Sequence, residues 1–212
     1  MGEKLSVNPW IRMWTSPRAT IRAIIQYNTS YLLPLLYWIY GFPIALQLMQ
    51  NMSLGDRASL LAMLGGAIIG GFVIGAIGIN LGAVLFYWTG QWIGGSGTFK
   101  EVRAAVAWSS LPSLVNIAVW AVQLAVFGKR IFTLMFLETP FVGGELAVVF
   151  ATSIAQVVAT VWGIVMLLKA LGEAQRFSAW KALLNVVLPL VIIFIGFKLL
   201  VWLFFLLTGG MH

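Results

Sequence analysis

The sequence predicts an all-α protein, a polytopic membrane helix bundle with about five transmembrane helices and a short amino-terminal amphipathic interfacial helix. Three observations carry this expectation. Of 212 residues, 61% are hydrophobic and only 9% are charged, a balance outside that of soluble domains. Residues 58–99 contain no Asp, Glu, Lys or Arg, a stretch far longer than the ~20 apolar residues that cross a bilayer. Lys and Arg fall between the apolar stretches, with Lys198 the exception inside one. The expected division is 1–30 for the amphipathic amino-terminal segment, 31–207 for a five-span domain and 208–212 for a short tail.

The same composition removes whole classes of chemistry. There is no cysteine, so disulfides, thiolate nucleophiles and Cys-based metal sites are excluded. The single histidine, His212, is the last residue, which leaves no basis for a His-centred dyad or metal site. No Ser-His-Asp set, phosphate-binding loop or metal-ligand cluster is present, so neither an enzyme nor a cofactor is expected. Glu138 and Glu145 flank a loop, where acids cap or solvate a helix end. The net charge of +7 sits between apolar spans, so it reads as topology and lipid contact and not as nucleic-acid binding. The expected partners are membrane lipids, with a protein partner or a second copy of the chain beside them.

Taken in order, the chain opens with no cleavable leader pattern, although Met1 to Ser6 match the loose myristoylation signature. Ser16-Pro17 marks a helix start, with a capping hydroxyl followed by a residue whose missing N–H costs nothing in the first turn. From there Ile21, Ile24 and Ile25 share one face, and Arg18, Arg22 and Gln26 the other. With Trp10 and Trp14 before it, this helix suits the headgroup layer, with its isoleucines toward the acyl chains. A plain connector packed on the bundle is the alternative.

The first span covers 31–49 and contains Pro34 and Pro43. The second runs from residue 58 to the aromatic cluster Tyr87, Trp88 and Trp92. Within it Gly71, Gly75, Gly78 and Gly82 step by four, three and four, which puts them on one helix face and lets another backbone come close. The third span covers 104–127, with Ser109, Ser110 and Pro112 in its first turns. The fourth covers 145–168, an amphipathic linker 169–181 follows, and the fifth covers 183–207.

Five spans put the termini on opposite sides, and Lys/Arg counts give the orientation. Nine lie on the amino-terminal side (Lys4, Arg12, Arg18, Arg22, Lys100, Arg103, Lys169, Arg176, Lys181) against three on the other (Arg57, Lys129, Arg130). The expectation is a multi-pass protein of the cell (inner) membrane with its amino terminus in the cytoplasm and its carboxyl terminus outside.

Three stretches carry a family resemblance. They are Trp14-Thr15-Ser16-Pro17, then Gly95-Ser96-Gly97-Thr98-Phe99 leading into Ala107-Trp108-Ser109-Ser110-Leu111-Pro112, and finally the linker from Leu168 through Ser178 with Lys181-Ala182. In these the chain resembles the Yip family (Ypt-interacting protein domain), particularly its bacterial members. The resemblance implies five spans with a cytoplasmic amino terminus. Eukaryotic relatives are associated with Rab-type GTPases and Golgi traffic, and for bacterial relatives the family supplies no activity.

Two functions follow as expectations. One is a non-enzymatic membrane protein that organises lipids or partner proteins. The other is a small transporter or channel with a polar path near Lys198. Counting from the linker in both directions brings Lys198 level with Ser153, Thr152 and Gln156, with Glu145 higher at the rim. An intramembrane lysine needs such partners, because burying it alone costs at least ~2.5 kcal/mol.

Overall fold

The computed structural model describes Leu5 and residues 7–207. The myristoylation pattern around Gly2 and the tail 208–212 lie outside the described residues. Among the described residues there are nine α-helices and no strand. The helices are α1 (Pro9–Thr15), α2 (Pro17–Tyr27), α3 (Leu33–Asn51), α4 (Leu60–Trp92), α5 (Phe99–Ser109), α6 (Ser113–Phe127), α7 (Leu134–Glu138), α8 (Gly143–Ala174) and α9 (Ala179–Leu207). Four helical stretches are long and apolar enough to cross a membrane: Leu60–Trp92, Phe99–Phe132, Gly143–Ala174 and Ala179–Leu206. The 19-residue α3 adds a fifth rod, whose length of ~28 Å approaches the bilayer core.

α3 and α4 form a close hairpin. A methyl group on Gly75 would run into the Tyr37 carbonyl, and one on Gly41 into the carbonyl of Gly71. Gly78 lies beneath the ring of Tyr40, whereas Gly82 faces Val106 of α5. Small residues let the two backbones touch, and dispersion then acts over their whole contact where water supplies no driving force. Asn80 adds a polar tie by donating to the Tyr37 hydroxyl at 2.8 Å.

Three expectations need correction. The third span is two helices, and its first begins earlier, at Phe99. Thr98 and Glu101 make a capping box that starts α5: the Glu101 carboxylate accepts from the Thr98 N–H at 2.6 Å and the Thr98 hydroxyl from the Glu101 N–H at 3.3 Å. Pro112 lacks an N–H, and α5 stops at Ser109 before α6 resumes at Ser113. Second, the fourth and fifth helices run further than 145–168 and 183–207 and take up most of the linker 169–181, because α8 continues to Ala174 and α9 starts at Ala179. Third, the isoleucine face of α2 meets protein and not acyl chains: Ile21 and Ile24 are fully buried, packed where α2 crosses α5 and α8. Its arginine face remains exposed. The Ser16 hydroxyl makes no cap, and the Ser16 carbonyl instead accepts from the Thr20 hydroxyl at 2.9 Å.

Two apolar cores hold the bundle. One gathers Met13, Ile21, Ile24, Trp108, Met166 and Leu171 at the amino-terminal end. The other gathers Leu46, Trp120, Ile131, Phe132 and Phe136 at the opposite end, where the Trp120 ring stacks on Phe132 at 5.5 Å. α9 buries Ala182, Asn185 and Pro189 and nothing beyond them among its described residues.

Candidate functional site

The amino-terminal end of the bundle is tied together by a polar clamp. Its centre is the short turn 175–178 between α8 and α9, which meets the loop 93–98 between α4 and α5. Gln175 is fully buried. Its side-chain amide donates to the Phe86 carbonyl at 3.0 Å, and its main-chain carbonyl accepts from the Ser96 N–H at 3.1 Å. The loop must pass very close, and Gly95 and Gly97 permit it: a methyl on either would strike Gln175 or the Ala174 carbonyl.

Arg176 follows in the left-handed region at φ 59°, a helix-stop conformation usually left to Gly or Asn. It is anchored there at two points, donating to the Ser96 carbonyl at 2.6 Å and to Glu101 at 2.8 Å. Deeper in, the Thr89 hydroxyl donates to the Asn185 side-chain oxygen at 2.6 Å and joins α4 to α9. Between α2 and α8, Arg22 donates to both Glu173 oxygens at 2.6 and 3.1 Å. That hydrogen bonding, then the opposite charge, holds the Arg22 guanidinium above its ordinary pKa.

The electrostatic outcome is one-sided. Glu101 and Glu173 are both engaged by arginines. Arg12, Arg18, Lys100, Arg103, Lys169 and Lys181 make no ion pair among the described residues. Arg18 lies across Gly172 on the last turn of α8, and Arg103 sits over the Phe99 ring at 5.7 Å. Around this basic end, Trp88, Trp92 and Trp180 are exposed. Tryptophan is enriched at membrane–water boundaries, where the ring's apolar body and polar N–H each find their medium.

The family model for the Yip1 domain matches residues 11–207. The chain belongs to the Yip1 domain family. No curated protein and no solved structure matches it.

In this Yip1 domain the three stretches that carried the resemblance converge at the basic end. Gly95 to Phe99 form the loop and cap of α5, Gln175 to Ser178 the turn that receives them, and Trp14 to Pro17 the join between α1 and α2. Trp10 and Trp14 are half-buried, and Trp10 meets Trp108 edge-on at 5.5 Å. Tyr31 stacks on Trp108 at 6.1 Å. The Thr98–Glu101 spacing was a readable signal. The exposed Trp180 and the buried Gln175 were not singled out by sequence reasoning.

The intramembrane residues are dispersed. Thr152 accepts from Gln123 at 3.1 Å and donates to the Val148 carbonyl at 2.7 Å. Ser153 is exposed. Glu145 pairs with Arg130 beside the opposite end of the bundle. Lys198 is exposed on α9, its ammonium 5.6 Å from the Phe194 ring centroid, beside a hollow lined by α9 side chains alone. It meets none of Thr152, Ser153, Gln156 or Glu145 because α9 is not buried against α8 past Pro189. Gln156 goes instead with Asn116, in a cavity between α3, α6 and α8.

Proposed function

We propose that this Yip1 domain is a non-enzymatic membrane organiser that gathers anionic phospholipid at its amino-terminal end. In this reading the end faces the cytoplasm of a cell (inner) membrane, and the carboxyl terminus lies outside. The observation that carries it is the charge arrangement: among the described residues six cations on this face make no ion pair, while Glu101 and Glu173 are each engaged by an arginine. Each cation near an anionic surface contributes about 1 kcal/mol of attraction. The exposed Trp88, Trp92 and Trp180 support placing that face at headgroup level. The nine-to-three Lys/Arg bias supports its orientation. A transport path at Lys198 has less support, since its surroundings are the apolar side chains of α9.

The test is lipid selectivity around the reconstituted protein. Spin-labelled phosphatidylglycerol and phosphatidylcholine are compared in wild type and in an Arg18→Gln, Lys100→Gln, Lys169→Gln variant. Wild type is expected to favour phosphatidylglycerol, and the preference to fall by up to about fivefold per removed charge. Equal association of both lipids with wild type, or an undiminished preference in the variant, overturns the proposal.

A further inference from the structure

A polar crevice open at the side of the bundle, between α3, α6 and α8, stands apart from the basic face. α6 packs against both α3 and α8, and two adjoining cavities of about 390 and 470 Å³ lie along this channel, sharing Tyr40 and Thr160 in their walls. Both fall within the ~300–1,000 Å³ typical of small-molecule sites. The first presents Gln47, Ser113, Asn116 and Gln156 beside Trp120. The second is walled by Gly78, Gly82, Phe86, Val106 and Leu167, and beside the shared Tyr40 and Thr160 it adds Ser109 and Ser110, whose hydroxyls are already spent on the carbonyls of Val106 and Ala107.

Along α8, Gln156 lies ~20 Å from one end and ~27 Å from the other, close to the middle of the helix. Gln47 is paired with Gln50 at 2.8 Å and with Asn51 at 3.0 Å. The side-chain amides of Asn116 and Gln156 have no hydrogen-bond partner among the described residues. Each offers two donors and an acceptor, and hydrocarbon supplies no water to satisfy them. No charged side chain lines either cavity. A phosphate or an ion brought to this depth would keep its full desolvation cost.

We infer that this crevice binds a neutral lipid, with the uncharged ester and hydroxyl groups of its head against Asn116 and Gln156 and an acyl chain along Gly78, Gly82 and Phe86. The division into one hydrogen-bonding and one apolar compartment matches an amphiphile without charge. Such a molecule has no ionic group to hold it at the membrane surface. No residue of α9 lines either cavity among the described residues, so the site is separate from Lys198. The inference is independent of the anionic-lipid reading of the basic face.

The experiment uses the full chain in phosphatidylcholine nanodiscs with a diacylglycerol carrying a diazirine on its acyl chain. After irradiation, adducts are mapped by mass spectrometry. They are expected on segments 78–86, 106–117 and 156–167 at several times the frequency seen on the exposed α9 segment 194–205. Asn116→Leu with Gln156→Leu is expected to lower the crevice adducts at least tenfold and leave those on α9 unchanged. Excess unlabelled diacylglycerol is expected to displace the probe from wild type, and phosphatidylglycerol to leave it in place. Crevice adducts no more frequent than those on α9, or adducts surviving in the folded double variant, overturn the inference. If that variant does not fold, the competition on wild type decides, and equal displacement by phosphatidylglycerol overturns it.

Discussion

Arg22 on α2 and Glu173 on the last turn of α8, 151 residues apart in sequence, hold each other at two points, 2.6 and 3.1 Å. On the other face of α2, Ile21 and Ile24 are fully buried. The short helix is thus fixed twice, by its apolar face for energy and by its polar face for angle.

These two attachments make different predictions. Ile24→Ala leaves a cavity in the amino-terminal core and is expected to lower stability by about 2–5 kcal/mol, read as a drop in the thermal midpoint in detergent. Arg22→Gln is expected to keep the fold while amides of residues 17–27 exchange deuterium faster. The reverse order of severity contradicts this account of α2.

The pH behaviour of that pair has a definite sign. Arg22 is held above its ordinary pKa, so its contribution is complete below the unfolded value and is lost only as pH rises through the still higher folded one. That window lies in strongly alkaline solution. Exchange protection in α2, corrected for intrinsic rates, is therefore expected to stay flat from pH 7 to pH 9. A loss of protection across that range contradicts it.

The α3–α4 contact predicts opposite outcomes for two glycines on one helix. Gly75→Ala places a methyl against the Tyr37 carbonyl, where backbone must move, and overpacking of this kind costs typically ~1–3 kcal/mol. Gly65 has nothing near its added methyl, and alanine is the better helix former by up to ~1 kcal/mol. Thermal midpoints should fall for the first and stay level or rise for the second.

The clamp predicts a ranking as well. Thr98→Ala removes one half of the capping box, at a cost of about 1 kcal/mol. Glu101→Ala removes the other half and also one of the two anchors of Arg176. It is expected to be the more destabilising, and equal effects would mean that the Arg176 contact contributes nothing.

Much of this was legible in the sequence, for physical reasons that differ by feature. Membrane helices announce themselves because length and apolarity are imposed by the bilayer, and the Yip resemblance rested on contiguous stretches. The glycine spacing of α4 was legible as a face, but spacing carries no partner, so Tyr37 and Gly41 could not be named as what covers it. The break at 110–112 was hidden because proline is tolerated inside membrane helices, as Pro43 in α3 and Pro189 in α9 illustrate. Lys198 was placed by counting residues along α8 and α9, which assumes that the two stay side by side. Asn116 with Gln156, and Gln175 with Phe86, meet only through tertiary packing.

The central claim is that the basic amino-terminal end faces the anionic cytoplasmic leaflet. The chain has no cysteine, so single cysteines report cleanly to a membrane-impermeant maleimide on intact cells. Met52→Cys and Val142→Cys, at exposed positions toward one end, are expected to label directly. Ser96→Cys and Ser178→Cys, exposed at the clamp, are expected to label only after the membrane is permeabilised. Labelling of Ser96→Cys and Ser178→Cys from outside, with Met52→Cys and Val142→Cys protected, would put the basic face on the wrong side of the membrane and contradict the account.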